Sequence, residues 1–205
     1  LNRVMDLVLN VFRTSRAWLF YPCNPDLPSF NVTVESTLPD YPGAKSLKEA
    51  VPMTSDMADY CRRALAAKDG PAIDPPEGEP VTNDIAIKFN VKSMLFMALR
   101  PQTGEPWMFG LHQCDFSRTW SNDEKHLFHM IGLRLTGCID NMLYVHQLRE
   151  SEERYRSLVM QSSDCLILHD FNGDILDVSN LACHTYGYTR DELLKMKVSD
   201  LDPDY

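Results

Sequence analysis

The feature that most constrains this chain is a proline-free stretch from Ser121 to Gln161, opened by a helix-capping pattern. Ser121-Asn122-Asp123-Glu124 is an S-x-x-E box, in which the serine hydroxyl accepts from the third helical N–H and the glutamate reaches back. Apolar residues follow at helical spacing, and Gly132 and Gly137 stand isolated within them. The run Gln147-Leu148-Arg149-Glu150-Ser151-Glu152-Glu153-Arg154-Tyr155-Arg156 consists mostly of strong helix formers. One helix of about 40 residues is therefore expected, roughly 60 Å long at ~1.5 Å per residue.

Along it, Phe128, Ile131, Leu135, Cys138, Met142 and Val145 alternate spacings of three and four, a heptad-type seam. The same register next meets the charged Arg149 and Glu152, so the seam slips to Leu148, Tyr155 and Leu158. From Ser121 to Met142 two readings stand level: a helix packed on its own domain's sheet, or a coiled coil. Beyond His146 the helix has no sheet to pack on, and pairing with a second copy is the better account. A homodimer through this helix is expected.

On the N-terminal side, Leu1 to Thr14 places Val4, Leu7, Val8 and Val11 on one helical face. The aromatic-rich Arg16 to Tyr21 predicts a strand ended by Pro22. Pro22 to Pro52 is rich in turn-forming residues and reads as an extended loop framing one short strand, Phe30 to Glu35. A second helix is expected over Ser55 to Lys68, with Met57, Cys61, Ala64 and Leu65 inward and Gly70-Pro71 as its stop. Pro71 to Pro80 reads as a turn-rich connector. Strands over Ser93 to Leu99 and Pro106 to Cys114 are joined by a Gly104-containing hairpin loop. Without a regular βαβ alternation, this order predicts an α+β fold: an antiparallel sheet flanked by helices.

After the long helix, Asp164 to Asp170 and Asp174 to Ser179 read as strands joined at Asn172-Gly173, a strong hairpin signal. A short helix is expected around Asn180 to Gly187. Thr189-Arg190-Asp191-Glu192 forms a second capping box before Leu193, Leu194 and Met196. Two strands and two short helices do not make an independently stable sheet domain. This module is expected to be the first part of a larger one. The chain, which does not begin with Met, reads as a cut from a longer protein.

Charge narrows the partners. The net charge is −9, and residues 151–205 hold 5 Lys and Arg against 11 Asp and Glu. No basic stripe interrupts that balance, so nucleic acid and anionic lipid are not expected partners. No run of about 18 apolar residues occurs, so no membrane insertion is expected, and a cytoplasmic location is. The six cysteines, Cys23, Cys61, Cys114, Cys138, Cys165 and Cys183, form no C-x-x-C pair or metal-ligand spacing and read as core thiols of a reducing compartment.

Two resemblances follow from these residues. Glu150-Ser151-Glu152-Glu153-Arg154-Tyr155-Arg156-Ser157-Leu158-Val159, with Asp170-x-x-Gly173-x-Ile175, Asn180-x-Ala182 and Tyr186-Gly187-Tyr188-Thr189-x-x-Glu192-Leu193-Leu194, resembles the start of a PAS domain in bacterial sensor kinases. Three further strands of that family are absent, which implies an incomplete PAS cavity. Arg16-Ala17-Trp18-Leu19-Phe20-Tyr21-Pro22, Glu35-Ser36-Thr37-Leu38-Pro39-Asp40-Tyr41-Pro42-Gly43-Ala44 and Phe109-Gly110-Leu111-His112-Gln113-Cys114 resemble GAF modules of multi-domain sensor histidine kinases. The implied organisation is a GAF-like sensory domain over 1–145 with its exit helix from about 121, a signalling helix over 146–162, and a truncated PAS-like part over 163–205.

Candidate chemistry is sparse. Trp18, Phe20, Met97, Phe109 and His112 lie on strands that could floor an apolar pocket for a small molecule with one polar group. His112 and Cys114 share a strand face, but no third ligand accompanies them, so no metal site is expected. His126 and His129 lack the His-Glu motif of a phosphoacceptor and read as solvated or interface residues. Cys183-His184 resembles the bilin-anchoring pair of phytochrome-type GAF domains but lies in the PAS-like part. The PAS-like helix reads Asn180-Leu181-Ala182-Cys183, not the Asn-Cys-Arg-Phe of flavin photoreceptors. Nothing signals haem, flavin or bilin, and the cofactor is unknown. No nucleophile–base pair or phosphate loop is present, so this segment is not expected to be an enzyme. The reading is a sensory input segment of a two-component sensor histidine kinase. An input to a cyclic-dinucleotide synthase or another output enzyme, or a ligand-free dimerisation module, stands as the alternative.

Overall fold

The computed structural model describes residues 1–47, 50–67, 70–74 and 84–201. The chain divides into two units, Leu1–Met142 and Leu143–Tyr205. In the first, six strands form an antiparallel sheet: β1 (Arg16–Tyr21), β2 (Ser29–Thr37), β3 (Val51–Pro52), β4 (Ala72–Asp74), β5 (Ser93–Leu99) and β6 (Trp107–Gln113). Their spatial order is β3-β2-β1-β6-β5-β4. Strands β5 and β6 make the expected hairpin, Leu99 facing Trp107, with Gly104 in its turn at φ 84°. A left-handed φ suits glycine, which lacks the Cβ that would clash there.

Helices cover both faces: α1 (Asn2–Phe12), α2 (Ser55–Ala66), α3 (Asp84–Lys88) and α4 (Asn122–Met160). Because side chains alternate across a strand, the register sorts the sheet into two layers. Trp18 lies opposite Gly110, Phe20 opposite Met108, and Phe96 opposite Gly110. These residues share a core with Met57, Tyr60, Cys61 and Ala64 of α2 and Ala86 of α3. The other parity, Leu19, Met97 and Phe109, pairs Leu19↔Phe109↔Met97 across the sheet. It faces α4, whose Phe128 ring stacks on Phe109 at 4.3 Å between centroids and meets Phe12 of α1 edge-on at 6.1 Å. Gly132 brings α4 close to the sheet: a Cβ there would lie 2.3 Å from Met97 Sδ.

The capping box at Ser121 forms as expected. Glu124 N donates to Ser121 Oγ at 3.2 Å, and Ser121 N donates to Glu124 Oε2 at 2.8 Å. Helix α4 then runs 39 residues without a break. Helix α1 corrects its expected face. It buries Met5, Val8, Leu9 and Phe12, while Leu7 and Val11 are 64% and 59% exposed. The helix carries two overlapping apolar arcs, and contact with the sheet selects the one that includes Phe12.

Strand β2 extends the expected Phe30 to Glu35 by a residue before and two after, and its pairing with β1 is irregular at Leu19/Phe20. Helix α2 ends at Ala66, its N-terminus capped by Thr54, whose side chain accepts from Met57 N. Lys68, and the expected connector beyond residue 74, lie outside the described residues. The edge strand β4 occupies the start of that connector.

In the second unit, β7 (Ile167–His169) and β8 (Ile175–Val178) pair antiparallel, followed by α5 (Asn180–Tyr186) and α6 (Arg190–Leu193). Both strands are shorter than expected. The turn forms at Asn172-Gly173, where the Asp170 carboxylate accepts from Asn172 N and Asp174 N, both at 2.9 Å, and Gly173 takes φ 81°. Thr189 and Glu192 close the second capping box. The core is small: Ile175, Val178, Ala182 and Leu193, with Ile167, Leu194, Met196 and Val198 at its margin.

Candidate functional site

The α2/α3 face of the sheet does not close completely. It leaves a cavity of about 60 Å³ whose described lining is Trp18, Phe20, Phe30, Val32, Val51, Met57, Tyr60, Ala86, Phe89, Val91 and Met94, together with Arg16, Glu35, Ala44 and His112. Trp18 lies flat over Gly110, where an added Cβ would come within 2.1 Å of the indole ring. Phe20 stacks parallel to Trp18 at 5.5 Å and packs on Phe30 at 4.4 Å. A substituent on Gly110 would drive Trp18 off the cavity floor, since a rigid indole cannot yield as a flexible chain end does.

Among the described lining residues, Arg16, Glu35 and His112 form one polar cluster. Arg16 is almost completely buried, and its guanidinium donates to His112 Nδ1 at 2.8 Å and to the carbonyls of Tyr41 and Pro42, each at 3.0 Å. Its Nε, with no hydrogen-bond partner, stands 3.7 Å from Glu35 Oε1 in an ion pair. The Glu35 carboxylate accepts from Lys45 N at 3.0 Å, and Gly43 lets the following loop close on it, since a Cβ there would lie 1.9 Å from Oε1. The indole N–H of Trp18 is also buried without an acceptor.

The protonation pattern follows from these contacts. A guanidinium only donates, so His112 Nδ1 carries a lone pair and the neutral ring holds its proton on Nε2, 3.2 Å from Met94 Sδ. Burial, and secondarily the Arg16 charge, hold His112 well below the ordinary imidazole value of 6.5. Burial pushes Glu35 up, opposed by the Lys45 N–H and by Arg16. An unfolded histidine takes a proton below about pH 6.5 that the folded ring refuses, so the unfolded state binds more protons and stability falls with acid. Glu35 acts in the opposite sense, because its raised carboxyl accepts a proton earlier in the folded state. Urea denaturation of wild type is therefore expected to show stability declining from about pH 6.5 downward, and His112→Asn, which keeps an acceptor for Arg16, to flatten that decline.

Three of the five pocket residues expected from sequence, Trp18, Phe20 and His112, line the cavity together. Met97 and Phe109 do not. They occupy the opposite face of the same strands, against Gly132 and Phe128 of α4. Sequence reasoning missed Arg16 and Glu35, although Arg16 sits at alternating spacing with Trp18 and Phe20, which marks a charge on the buried face. The three stretches that resemble GAF modules meet here, as Arg16, Glu35 with Tyr41 and Pro42, and His112.

The expected helix seam divides. Phe128 and Leu135 are buried on the sheet together with Gly132 and Ile139. Ile131 is half-buried, and Cys138, Met142, Val145, Leu148 and Tyr155 are exposed. Cys23, Cys61 and Cys114 are buried, whereas Cys138 and Cys165 are exposed, so the expected core role holds for only part of the set. No cluster of three or more metal-binding side chains occurs among the described residues. No helix among them is long and apolar enough to cross a membrane.

No protein-family model matches the sequence, and no curated protein matches it. Solved structures do match. The blue-light-absorbing form of the PixJ GAF domain of Thermosynechococcus elongatus is 13% identical with a TM-score of 0.58, over 75% of this chain and 90% of that one. A phycocyanobilin-bound GAF domain from a cyanobacterial phytochrome is 20% identical with a TM-score of 0.54, over 71% and 85%. The photoproduct state of a GAF domain from Synechocystis sp. is 18% identical, also at 0.54, over 71% and 94%. The chain thus carries a GAF-like α+β fold.

Proposed function

We propose that this chain is a sensory input segment of a bacterial sensor histidine kinase. In this reading its GAF-like unit binds a small molecule, and its long helix relays the binding event. The observation that supports the ligand role is the cavity itself: an apolar chamber on one sheet face with a buried Arg16–His112–Glu35 cluster at one side. Pockets that bind small molecules have this composition, apolar walls with few placed polar groups.

A bilin of the kind held by one similar structure does not fit. The cavity is about 60 Å³, no cysteine lines it among the described residues, and the terminal guanidinium nitrogens of Arg16 already bond the protein.

The relay reading rests on α4. Its first half is part of the sheet's core through Phe128 and Leu135, so a change in sheet packing acts on the helix directly. Its exposed apolar residues, Met142, Val145, Leu148 and Tyr155, then supply the surface for a second copy. A paired helix with two packing registers is a two-state element that a downstream domain can read. The second unit fits the PAS-like reading through its capped α6, its Asn172-Gly173 hairpin and the apolar Leu168 and Leu176 left exposed on its strands.

Native mass spectrometry tests both parts at once. Gently purified protein is expected as a dimer carrying a small additional mass. Val32→Phe, which fills the cavity, is expected to remain dimeric and lose that mass. Bare monomer throughout, at tens of micromolar protein, would count against both the ligand and the relay.

A further inference from the structure

Successive rungs of the β5–β6 hairpin face opposite sides of the sheet. His112 pairs with Met94, and both line the cavity, with His112 Nε2 3.2 Å from Met94 Sδ. The next rung pairs Gln113 with Ser93, and alternation turns it toward α4. Both of its side chains are buried, and both hold Arg118. Arg118 N donates to Ser93 Oγ at 2.7 Å, and Arg118 Nη1 donates to Gln113 Oε1 at 3.0 Å.

The same guanidinium reaches both helices on that side. Nη1 also donates to Phe12 O at 2.7 Å and to Arg13 O at 3.4 Å, at the C-terminus of α1. Nη2 donates to Glu124 Oε1 in the first turn of α4, and the other oxygen of Glu124 accepts from Ser121 N in the capping box. A cation at one helix's C-terminus and a carboxylate at another's N-terminus each suit the helix dipole. Nη1 carries two protons and has three acceptors in reach, so it has two ways to share them. Engaged with Gln113 and Phe12, it ties both helices to the sheet. Engaged with Phe12 and Arg13, it releases the sheet.

We propose that Arg118 is the joint of the relay: a shift of the His112–Met94 rung moves Gln113 on the other side of the sheet, and Arg118 passes that movement to the first turn of α4. This rests on the relay reading given above and adds a hydrogen-bonded route beside the packing of Phe128. Coupling between sites runs through contiguous networks of this kind when they have two discrete arrangements.

Amide hydrogen exchange of the whole chain tests it. The readout is Lys125, whose N–H bonds Ser121 O in the first turn of α4, taken relative to Leu111 in the middle of the sheet. Val32→Phe, which fills the cavity, is expected to change that relative protection by about 2- to 30-fold, the span over which residues of a coupling network act. Met94→Leu, a volume-conserving change on the cavity rung itself, is expected to do the same and serves if Val32→Phe does not fold. Two backgrounds are expected to abolish the response. Glu124→Gln keeps the capping box, but its single acceptor oxygen is then taken by Ser121 N, which leaves none for Arg118. Arg118→Lys keeps the charge and loses the fork. A response undiminished in either background, or one seen at Leu135 and not at Lys125, would overturn the Arg118 joint and leave the relay standing through Phe128. No response to either cavity variant at Lys125 or Leu135 would sink the relay reading, and the joint with it.

Discussion

Arg16→Met is expected to destabilise the GAF-like unit by about 3–5 kcal/mol, the range found when one partner of a buried ion pair is removed. The wild-type guanidinium is buried, ion-paired to Glu35 and bonded to His112 and two carbonyls. Methionine approximates its volume and supplies no donor. Glu35 is then left as a carboxylate whose side chain is 6% exposed and whose charged form burial already disfavours. The Tyr41 and Pro42 carbonyls also lose a donor, a smaller loss because Pro42 is exposed and Tyr41 only half-buried, so water can replace it. Urea denaturation followed by tryptophan fluorescence reads the loss, because Trp18 sits beside the site. The double variant Arg16→Met, Glu35→Leu is expected to recover part of it, since an apolar pair removes the uncompensated charge. A single variant as stable as wild type would mean that Arg16 does not hold this cluster together.

Phe128→Ala is expected to have a similar cost, about 3–5 kcal/mol, by opening a void in the other core layer. Phe128 is fully buried between the Phe109 and Phe12 rings, on a sheet and a helix that other contacts hold in place, so the void cannot close easily. The variant also separates two roles for this residue. A seam residue would lower dimer affinity and make unfolding depend on protein concentration. A sheet-packing residue destabilises to the same extent at all concentrations, and that is the expected result. Val145→Ala is the contrast: its side chain is exposed, so its effect is expected in the dimer equilibrium and not in the stability of the unit. A concentration-dependent loss for Phe128→Ala and none for Val145→Ala would reverse the division of α4 drawn here.

That division shows where sequence reasoning runs out. The seam from Phe128 to Tyr155 has one continuous spacing pattern up to Val145, yet its residues have two environments. Spacings of three and four arise whether a helix faces a sheet or another helix. Gly132 and Ile139, outside that seam, complete the buried stripe because α4 lies close against Met97 and Leu99. The same limit explains α1, where either of two apolar arcs satisfies the period and only contact with the sheet chooses Met5 and Phe12 over Leu7 and Val11.

Capping and turn chemistry was legible. The boxes at Ser121 and Thr189 and the Asn172-Gly173 turn formed where short-range rules place them, because each depends on bonds among neighbours in the chain. The cavity was legible in part. Trp18, Phe20 and His112 were found, but Met97 and Phe109 were grouped with them. Helices cover both faces of this sheet, so both parities of its central strands are apolar and alternation carries no sign of which face a residue takes. Pairing of β1 with both β2 and β6 settles it, setting Arg16 opposite His112 and bringing Glu35 from two positions along β2. The sequence alone thus determined the main helices and strands, their capped starts and the α+β class, but not the short β3, β4 and α3 or the ends of β2, β7 and β8. The tertiary structure alone decided which faces meet, and with that the buried Arg16–Glu35–His112 cluster, whose members lie 19 to 96 residues apart and come together only when the sheet closes.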